Sequence, residues 1–472
     1  MRRTKIVCTL GPSTDAPGVL EGMIEAGMDV ARINASHGTH EEHAMRIKKV
    51  RDVAKAYGKY VGVMLDLAGP KIRTGPIKGD EIELAEGAVL ALVPGNEDGD
   101  EERIYINHPE FLEYLAPGRK VYLNDGLVEL VVEEMREREG EALCRVVTRG
   151  VLASRKGVSV PGARVSSVGE SRKDLEDIKF AAEMEVDFIA ASFVQHADDV
   201  VRIRALLDAE WSDALIIAKI ESSGGVENID SILRVADGIM VARGDLGIEM
   251  PAEQVPLLQK KIISSCNSMG KLVITATEML ESMVSNPRPT RAEVTDVACA
   301  IFDGTDAVML SAETTIGKYP VNAVATMARI AKCTEEGLDW DDLVLKKTIG
   351  PARTVADAIS HATSQTAHDL GVKAILTSTE SGSTARMVSK YRPNAPIVAA
   401  TPNPRVAAKL ALVWGVIPTV VRKAEDMDDV LDVSTEAALA LGVVNKGELV
   451  IITAGVRAGV SGTTNMLKAH RV

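Results

Sequence analysis

The chain has 472 residues, 46% of them hydrophobic and 26% charged, a length that one core seldom organises and a composition that excludes both disorder and a membrane protein. Its net charge of −13 at pH 7 disfavours nucleic acid and anionic membrane as partners, because counterion release needs clustered positive charge. Five cysteines without a C-x-x-C pair argue against a disulfide framework and a thiolate metal site. The start Met1-Arg2-Arg3-Thr4-Lys5 has no signal-peptide core and no run approaches ~20 apolar residues, so the expected location is the cytoplasm.

Eight short β-like runs follow in chain order: Lys5 to Leu10, Val30 to Ser36, Val61 to Leu67, Phe188 to Phe193, Ile216 to Ile220, Gly238 to Arg243, Leu272 to Thr277 and Ala307 to Ser311. Most are nearly continuous Val, Ile, Leu, Met and Ala, as parallel strands covered on both faces require. Helix-patterned segments such as Glu41 to Tyr57, Leu175 to Glu185, Val255 to Met269 and Arg291 to Phe302 separate them. The predicted class is α/β, a (β/α)8 TIM barrel.

The third and fourth runs are separated by roughly 120 residues, too many for a βα loop. Alternating stretches there (Arg103 to Ile106, Lys120 to Leu123) and turn signals at Asn124-Asp125-Gly126 and Pro161-Gly162 predict an inserted small β-barrel domain. Beyond Gly350-Pro351, strand-like runs at Ala374 to Thr377, Ile397 to Ala400, Val416 to Val421 and Leu449 to Thr453 predict a C-terminal α/β domain. The expected division is residues 1–69 and 167–342 for a discontinuous catalytic barrel, 70–166 for a lid, and 343–472 for a regulatory domain.

In a barrel the carboxyl ends of the strands surround the active site. Here they carry Thr9; Arg32, Asn34 and Ser36; Asp66; Ser192; Lys219 and Glu221; Arg243 and Asp245; Thr277 and Glu278; Ser311 and Glu313. So many charges are hard to justify by stability alone. Side chains alternate along a strand, so Lys219 and Glu221 point into one space. The two carboxylates Glu221 and Asp245 suit Mg²⁺ or Mn²⁺, which rarely receive a full protein cage; a Lys-Glu salt bridge fits the same spacing. Arg243-Gly244-Asp245-Leu246-Gly247 offers amides to an anion or simply turns the chain. His37, His40 and His43 cannot share one helical face, and His40 and His43 read as residues of an ordinary solvated helix.

Dense motifs now accumulate: Thr4-Lys-Ile-Val-Cys-Thr-Leu-Gly-Pro12, Ala31-Arg-Ile-Asn-Ala-Ser-His-Gly38, Leu65-Asp-Leu-Ala-Gly-Pro-Lys-Ile-Arg73, Lys156-Gly-Val-Ser-Val-Pro-Gly162, Ala218-Lys-Ile-Glu221, Met240-Val-Ala-Arg-Gly-Asp-Leu-Gly-Ile248, Pro287-Arg-Pro-Thr-Arg-Ala-Glu293 and Met309-Leu-Ser-Ala-Glu-Thr314. Across nearly its whole length the chain resembles the pyruvate kinase family. The resemblance implies phosphoryl transfer from phosphoenolpyruvate to ADP, giving pyruvate and ATP in the last step of glycolysis. It implies Glu221 and Asp245 as ligands of Mg²⁺ or Mn²⁺, with Lys219 and Arg32 meeting the phosphoryl group. The amides of Gly244 and Asp245, with Thr277, hold the substrate carboxylate, and Thr277 and Ser311 flank the protonation route. Pro12, Asn34, His37, Arg73 and Lys156 form the nucleotide side, Lys156 riding on a closing lid. A homotetramer is expected by the same analogy. The alternatives are another enolpyruvate-handling barrel enzyme and a catalytically silent metabolite-binding regulator.

Two positions depart from the family pattern. Glu278 stands where glutamine is usual. Lys71 occupies the glutamate position of potassium-dependent members, beside a monovalent-ion pocket formed by Asn34, Ser36, Asp66 and the carbonyl of Leu67. An ammonium can replace potassium there, so potassium is expected to be dispensable. In the C-terminal domain Thr377-Ser-Thr-Glu-Ser-Gly-Ser-Thr384 follows a strand and opens a helix. It reads either as a helix cap or as a phosphate cradle built on Thr379, Ser381, Gly382, Ser383 and Thr384. The resemblance makes it the effector phosphate site, and Glu380 within it selects a monophosphate, AMP or a sugar monophosphate, over a bisphosphate.

Overall fold

The computed structural model describes residues 1–69, 72–163, 168–341, 354–455 and 464–472. The expected domain boundaries at 69/70, 166/167 and 342/343 fall on or beside residues outside this set.

Eight parallel strands close into one barrel: Lys5–Thr9, Val30–Asn34, Gly62–Asp66, Phe188–Ala191, Leu215–Ile220, Gly238–Ala242, Leu272–Ala276 and Ala307–Leu310. Chain order is spatial order, and the eighth strand pairs with the first, Lys5 opposite Ala307. Period two sorts the side chains. Ile6, Cys8, Ala31, Ile33, Val63 and Leu65 join the core shared with the surrounding helices, whereas Val7, Val30, Met64, Phe188, Ile217 and Met240 form a second cluster, as alternating faces require. One more step along each inward row reaches Thr9, Arg32, Asp66 and Lys219, so the polar site is the last layer of the barrel's own packing.

The opposite end of the barrel carries a fourfold repeat that sequence reading missed. Asp29, Asp187, Asp237 and Asp306 each immediately precede an even-numbered strand. Their carboxylates accept the amides of Ile6, Val63, Ile216 and Val273 on the preceding odd-numbered strands at 2.8 to 2.9 Å. Each aspartate amide donates back to the carbonyl of the same residue. Register around the closure is thereby pinned at every second strand, on the face where a barrel invests in stability.

Between the third and fourth strands the chain forms a two-stranded sheet and a six-stranded sheet, ordered Val158–Ser159, Lys120–Leu123, Val128–Arg136, Glu141–Thr148, Val89–Pro94, Arg103–Ile106. Its own core holds Phe111, Leu92, Ile104, Val121 and Leu130. The turn at Asn124, Asp125 and Gly126 runs through three left-handed residues (φ 53°, 54° and 89°), residue types that tolerate that region.

The C-terminal segment builds a five-stranded sheet, four strands parallel and the last, Thr464–Arg471, an antiparallel edge; that last strand was not anticipated. This segment packs on the barrel's amino end, where Lys5 Nζ donates to Val416 O at 2.7 Å and Arg392 pairs with Asp306 at 2.6 Å. A Cβ at Gly62 would stand 2.9 Å from Phe188 and 3.0 Å from the Ala408 carbonyl, so only glycine admits this close approach.

Candidate active site

Arg32 and Asp66, on neighbouring strands, meet through Nε and Nη2 at 2.7 and 2.6 Å from the same Oδ2. Arg32 Nη1 also donates to Thr9 Oγ1 at 2.8 Å. From the fifth strand Lys219 Nζ reaches Asp66 Oδ1 (3.1 Å), Ser192 Oγ (2.7 Å) and Glu221 Oε1 (2.9 Å). The Ser192 hydroxyl in turn donates to the Leu67 carbonyl at 2.8 Å. Five successive strand ends, the first to the fifth, therefore converge on one buried network.

Its electrostatics follow from burial against charge. Burial opposes ionisation of Asp66, but Arg32 and Lys219 outweigh it and hold the carboxyl below the ordinary carboxylate range. Burial likewise opposes the Lys219 ammonium, and Asp66 with Glu221 outweighs it, raising that pKa. Glu221 goes the other way: burial and the negative charge of Asp245 exceed the help from Lys219, so its pKa is raised. Two like charges brought together in a buried place are what a cation would relieve. Glu221 and Asp245 line one cleft, with Ile72, Tyr122 and Ser159 of the insertion on its other wall. Among the described residues no three His, Cys, Asp or Glu side chains are grouped as a metal cage. Two carboxylates with room for water and substrate still fit a hard divalent ion, whose shell is usually completed that way.

Asp245 lies on the helix Arg243–Glu249 that begins directly after the sixth strand. Beside it, Thr277 and Glu278 have φ of +66° and +54°. A β-branched residue in that region is strained, and such strain collects at functional sites. The contacts that impose it are clear. Arg243 Nη2 donates to the Thr277 carbonyl at 2.7 Å, while the Thr277 hydroxyl donates to Ala276 O (2.6 Å) and accepts the Gly244 amide (2.8 Å). Arg243 is itself paired with Asp296 at 2.7 Å, so this strand-end charge serves to hold the loop. Ser311 stands at the start of the short helix Ala312–Thr315, its amide bonded to Glu313 Oε2; Glu313 Oε1 accepts the Leu280 amide, a tie between two loops.

Of the residues expected to meet a nucleotide, Pro12 opens the single turn Pro12–Thr14 after Gly11, where a Cβ would stand 2.3 Å from Thr315 Cγ2. Asn34 Oδ1 accepts the Ser36 amide at 3.1 Å, and His37 is exposed. Arg73 and Lys156 sit together within the insertion: Arg73 bridges to Gly157 and its Nη1 donates to the Arg155 carbonyl, while the Lys156 amide donates to Thr74 Oγ1. Asn34 and Asp66 are register partners, placing the expected monovalent-ion residues Asn34, Ser36, Asp66 and Leu67 at adjoining strand ends. Lys71 lies outside the described residues.

The helix reading for the histidines needs correction. His43 is 2% exposed, and His40 stacks on Phe180 with ring centroids 4.3 Å apart while meeting Asp177 at 2.7 Å. A neighbouring helix, Arg172–Glu183, covers this face. In the C-terminal segment, Gly382 (φ 80°) caps the helix Ser383–Ser389, and the Thr384 hydroxyl meets that of Thr464 at 2.7 Å. Ser381 is exposed and Thr379 buried. Sequence reading gave no role to Phe193, whose amide donates to Glu221 Oε2 at 2.7 Å from a left-handed backbone (φ 56°); no residue-type signal marks that conformation in a phenylalanine.

A closed parallel barrel with charged groups gathered at its carboxyl ends, under an inserted β module, is the architecture of a (β/α)8-barrel enzyme with its site at the strand ends. Comparison with known proteins specifies which. The family profile "Pyruvate kinase, barrel domain" matches residues 1–324, and "Pyruvate kinase, alpha/beta domain" matches 357–470. The chain is 51% identical to a pyruvate kinase of Geobacillus stearothermophilus over 472 residues, covering 99% of this chain and 80% of that protein. Pyruvate kinases of Sporosarcina psychrophila and Bacillus licheniformis are each 48% identical, over 100% of this chain and 80% and 81% of their own lengths. The chain belongs to the pyruvate kinase family.

Proposed function

We propose that this enzyme transfers the phosphoryl group of phosphoenolpyruvate to ADP, with Glu221 and Asp245 holding Mg²⁺ or Mn²⁺. The observation that carries this is the convergence of Lys219 and Arg32, from separate strands, beside the Glu221 and Asp245 carboxylates. The bond from phosphorus to the enol oxygen breaks as one forms to a terminal oxygen of ADP; the enolate left behind takes a proton at carbon and becomes pyruvate. Lys219 and Arg32 meet the charge that develops on the moving group, the kind of positioned electrostatics on which phosphoryl transfer depends. The metal, when bound, neutralises phosphoryl and enolate oxygens. The Gly244 and Asp245 amides with Thr277 orient the substrate carboxylate, and Thr277 and Ser311 flank the proton's path. Pro12, Asn34, His37, Arg73 and Lys156 take the nucleotide. Formation of pyruvate that depends on both ADP and phosphoenolpyruvate, with Mg²⁺ or Mn²⁺ present, is the test; its absence would overturn the reading.

The same reading treats residues 1–69 and 167–342 as the catalytic unit, 70–166 as its lid and 343–472 as a regulatory unit. Thr379, Ser381, Gly382, Ser383 and Thr384 take the phosphate of a monophosphate effector. The enzyme works as a cytoplasmic homotetramer without a potassium requirement. Asp66, already neutralised by Arg32 and Lys219, supports that last point. Among the described residues no helix is long and apolar enough to cross a membrane.

A further inference from the structure

Glu249 ends the helix that carries Asp245, and its carboxylate leaves the barrel altogether. Oε1 accepts the Ser159 hydroxyl at 2.5 Å and Oε2 the Gly162 amide at 3.3 Å. Both donors belong to the insertion. Next to it, Ile248 lies against the insertion's left-handed turn, 3.3 Å from where a Cβ of Gly126 would stand. Arg119, which donates to the Pro161 carbonyl at 3.0 Å, adds a positive charge acting on the same carboxylate. One short barrel helix thus grips the insertion at two places.

The gripped segment matters because of what it carries. Ser159 is three residues beyond Lys156, in a strand paired with Tyr122 and Leu123, and Lys156 is fastened to Thr74 through its amide and its carbonyl. Holding Ser159 and Gly162 therefore fixes the stretch that presents Lys156 and, across the bridge to Gly157, Arg73. Glu249 is one helical turn from Asp245, so the grip and that carboxylate are parts of a single short rigid element.

We propose that Glu249 is the positioning residue that clasps the insertion onto the barrel and sets Lys156 and Arg73 over the divalent site. This rests on the reading of those two residues as the nucleotide side. Glu249 touches neither phosphoenolpyruvate nor the metal; it acts through the segment it holds.

The test compares Glu249→Ala, Ser159→Ala, the double variant and Glu249→Gln in the full-length enzyme. Steady-state kinetics, direct Mn²⁺ titration and hydrogen exchange of residues 156–163 are measured on each. Glu249→Ala should raise KM for ADP about tenfold or more, the scale of losing a charged acceptor that serves two donors. The KM for phosphoenolpyruvate and the Mn²⁺ affinity should stay within about twofold. The double variant should be no worse than Glu249→Ala alone, because both remove one interaction. Glu249→Gln, which keeps an oxygen for the Gly162 amide, should restore most of the loss. Unchanged exchange at 156–163 in Glu249→Ala would overturn the clasp itself. Faster exchange with an unchanged KM for ADP would overturn its link to the nucleotide, and with it the reading of Lys156.

Discussion

Lys219 Nζ lies 3.1 Å from Asp66 Oδ1, joining the fifth barrel strand to the third across the mouth of the barrel. Its positive charge is held up by Asp66 and Glu221 against burial, the state in which, under the proposed function, it would meet a transferring phosphoryl group. Lys219→Met should leave a folded protein and lower turnover by about a hundredfold or more, the scale of a lost positioned electrostatic group. Turnover near the wild-type value would remove Lys219 from the chemistry. Glu221→Gln should first weaken Mn²⁺ binding in a direct titration; an unaltered isotherm would remove that ligand.

Thr277 separates strain from function. At φ +66°, glycine is the unstrained residue, reversing the usual advantage of alanine. Thr277→Gly and Thr277→Ala both lose the hydroxyl that binds Ala276 and Gly244, so their difference isolates the backbone. The glycine variant should be the more stable by about 1 kcal/mol, and both should be poor catalysts. An alanine variant as stable as the glycine one would show that the turn is not strained.

Asp187 contributes a pH dependence with a definite sign. Burial pushes its carboxyl up to about 6, against the Val63 amide and the positive charges of Arg51, Lys409 and Arg405. The folded state then binds the proton more tightly than the unfolded one, so this group's contribution declines as pH rises from about 4 to about 6 and is constant above. Asp187→Asn keeps an oxygen for the Val63 amide and cannot ionise. Relative to wild type, the variant should gain on the order of 1–3 kcal/mol between pH 4 and pH 7.5, read as unfolding midpoints in denaturant. A wild-type-minus-variant difference that does not change with pH would contradict the assignment.

Potassium is tested at Lys71. With Mg²⁺ in a tetramethylammonium buffer of matched ionic strength, the wild-type enzyme should change rate by less than about twofold on adding KCl, because an ammonium supplies the same single charge. Lys71→Glu should acquire a requirement for it. Wild-type enzyme that is silent until potassium is added would refute the idea.

If the loop at residues 379–384 takes an effector phosphate as proposed, Glu380 is the discriminating residue, since a carboxylate inside an anion site penalises the second phosphate. AMP or a sugar monophosphate should activate, and fructose 1,6-bisphosphate should not; Glu380→Ser should narrow that difference by about tenfold. Strong activation of the wild type by the bisphosphate alone would invert the reading.

The eight barrel strands, the β-rich insertion and the polar strand ends were legible in the chain because they rest on local rules. Buried parallel strands are continuous apolar runs, strand ends face the barrel mouth, and side chains alternate along each strand. That alternation alone put Lys219 and Glu221 on a common face. The sequence did not disclose which groups face one another across the closure: Ser192 beneath Lys219, four aspartates each serving a neighbouring strand, His43 buried under a second helix, Glu249 turned outward to Ser159. Each depends on two segments brought together by the fold from positions up to more than a hundred residues apart, as Lys219 and Asp66 are. Nor did residue types reveal the left-handed backbone of Phe193 and Thr277. Those conformations are unfavourable locally and exist only because Glu221, Arg243 and Gly244 hold them from other segments at the barrel mouth, a cost that tertiary contacts impose and that no local preference encodes.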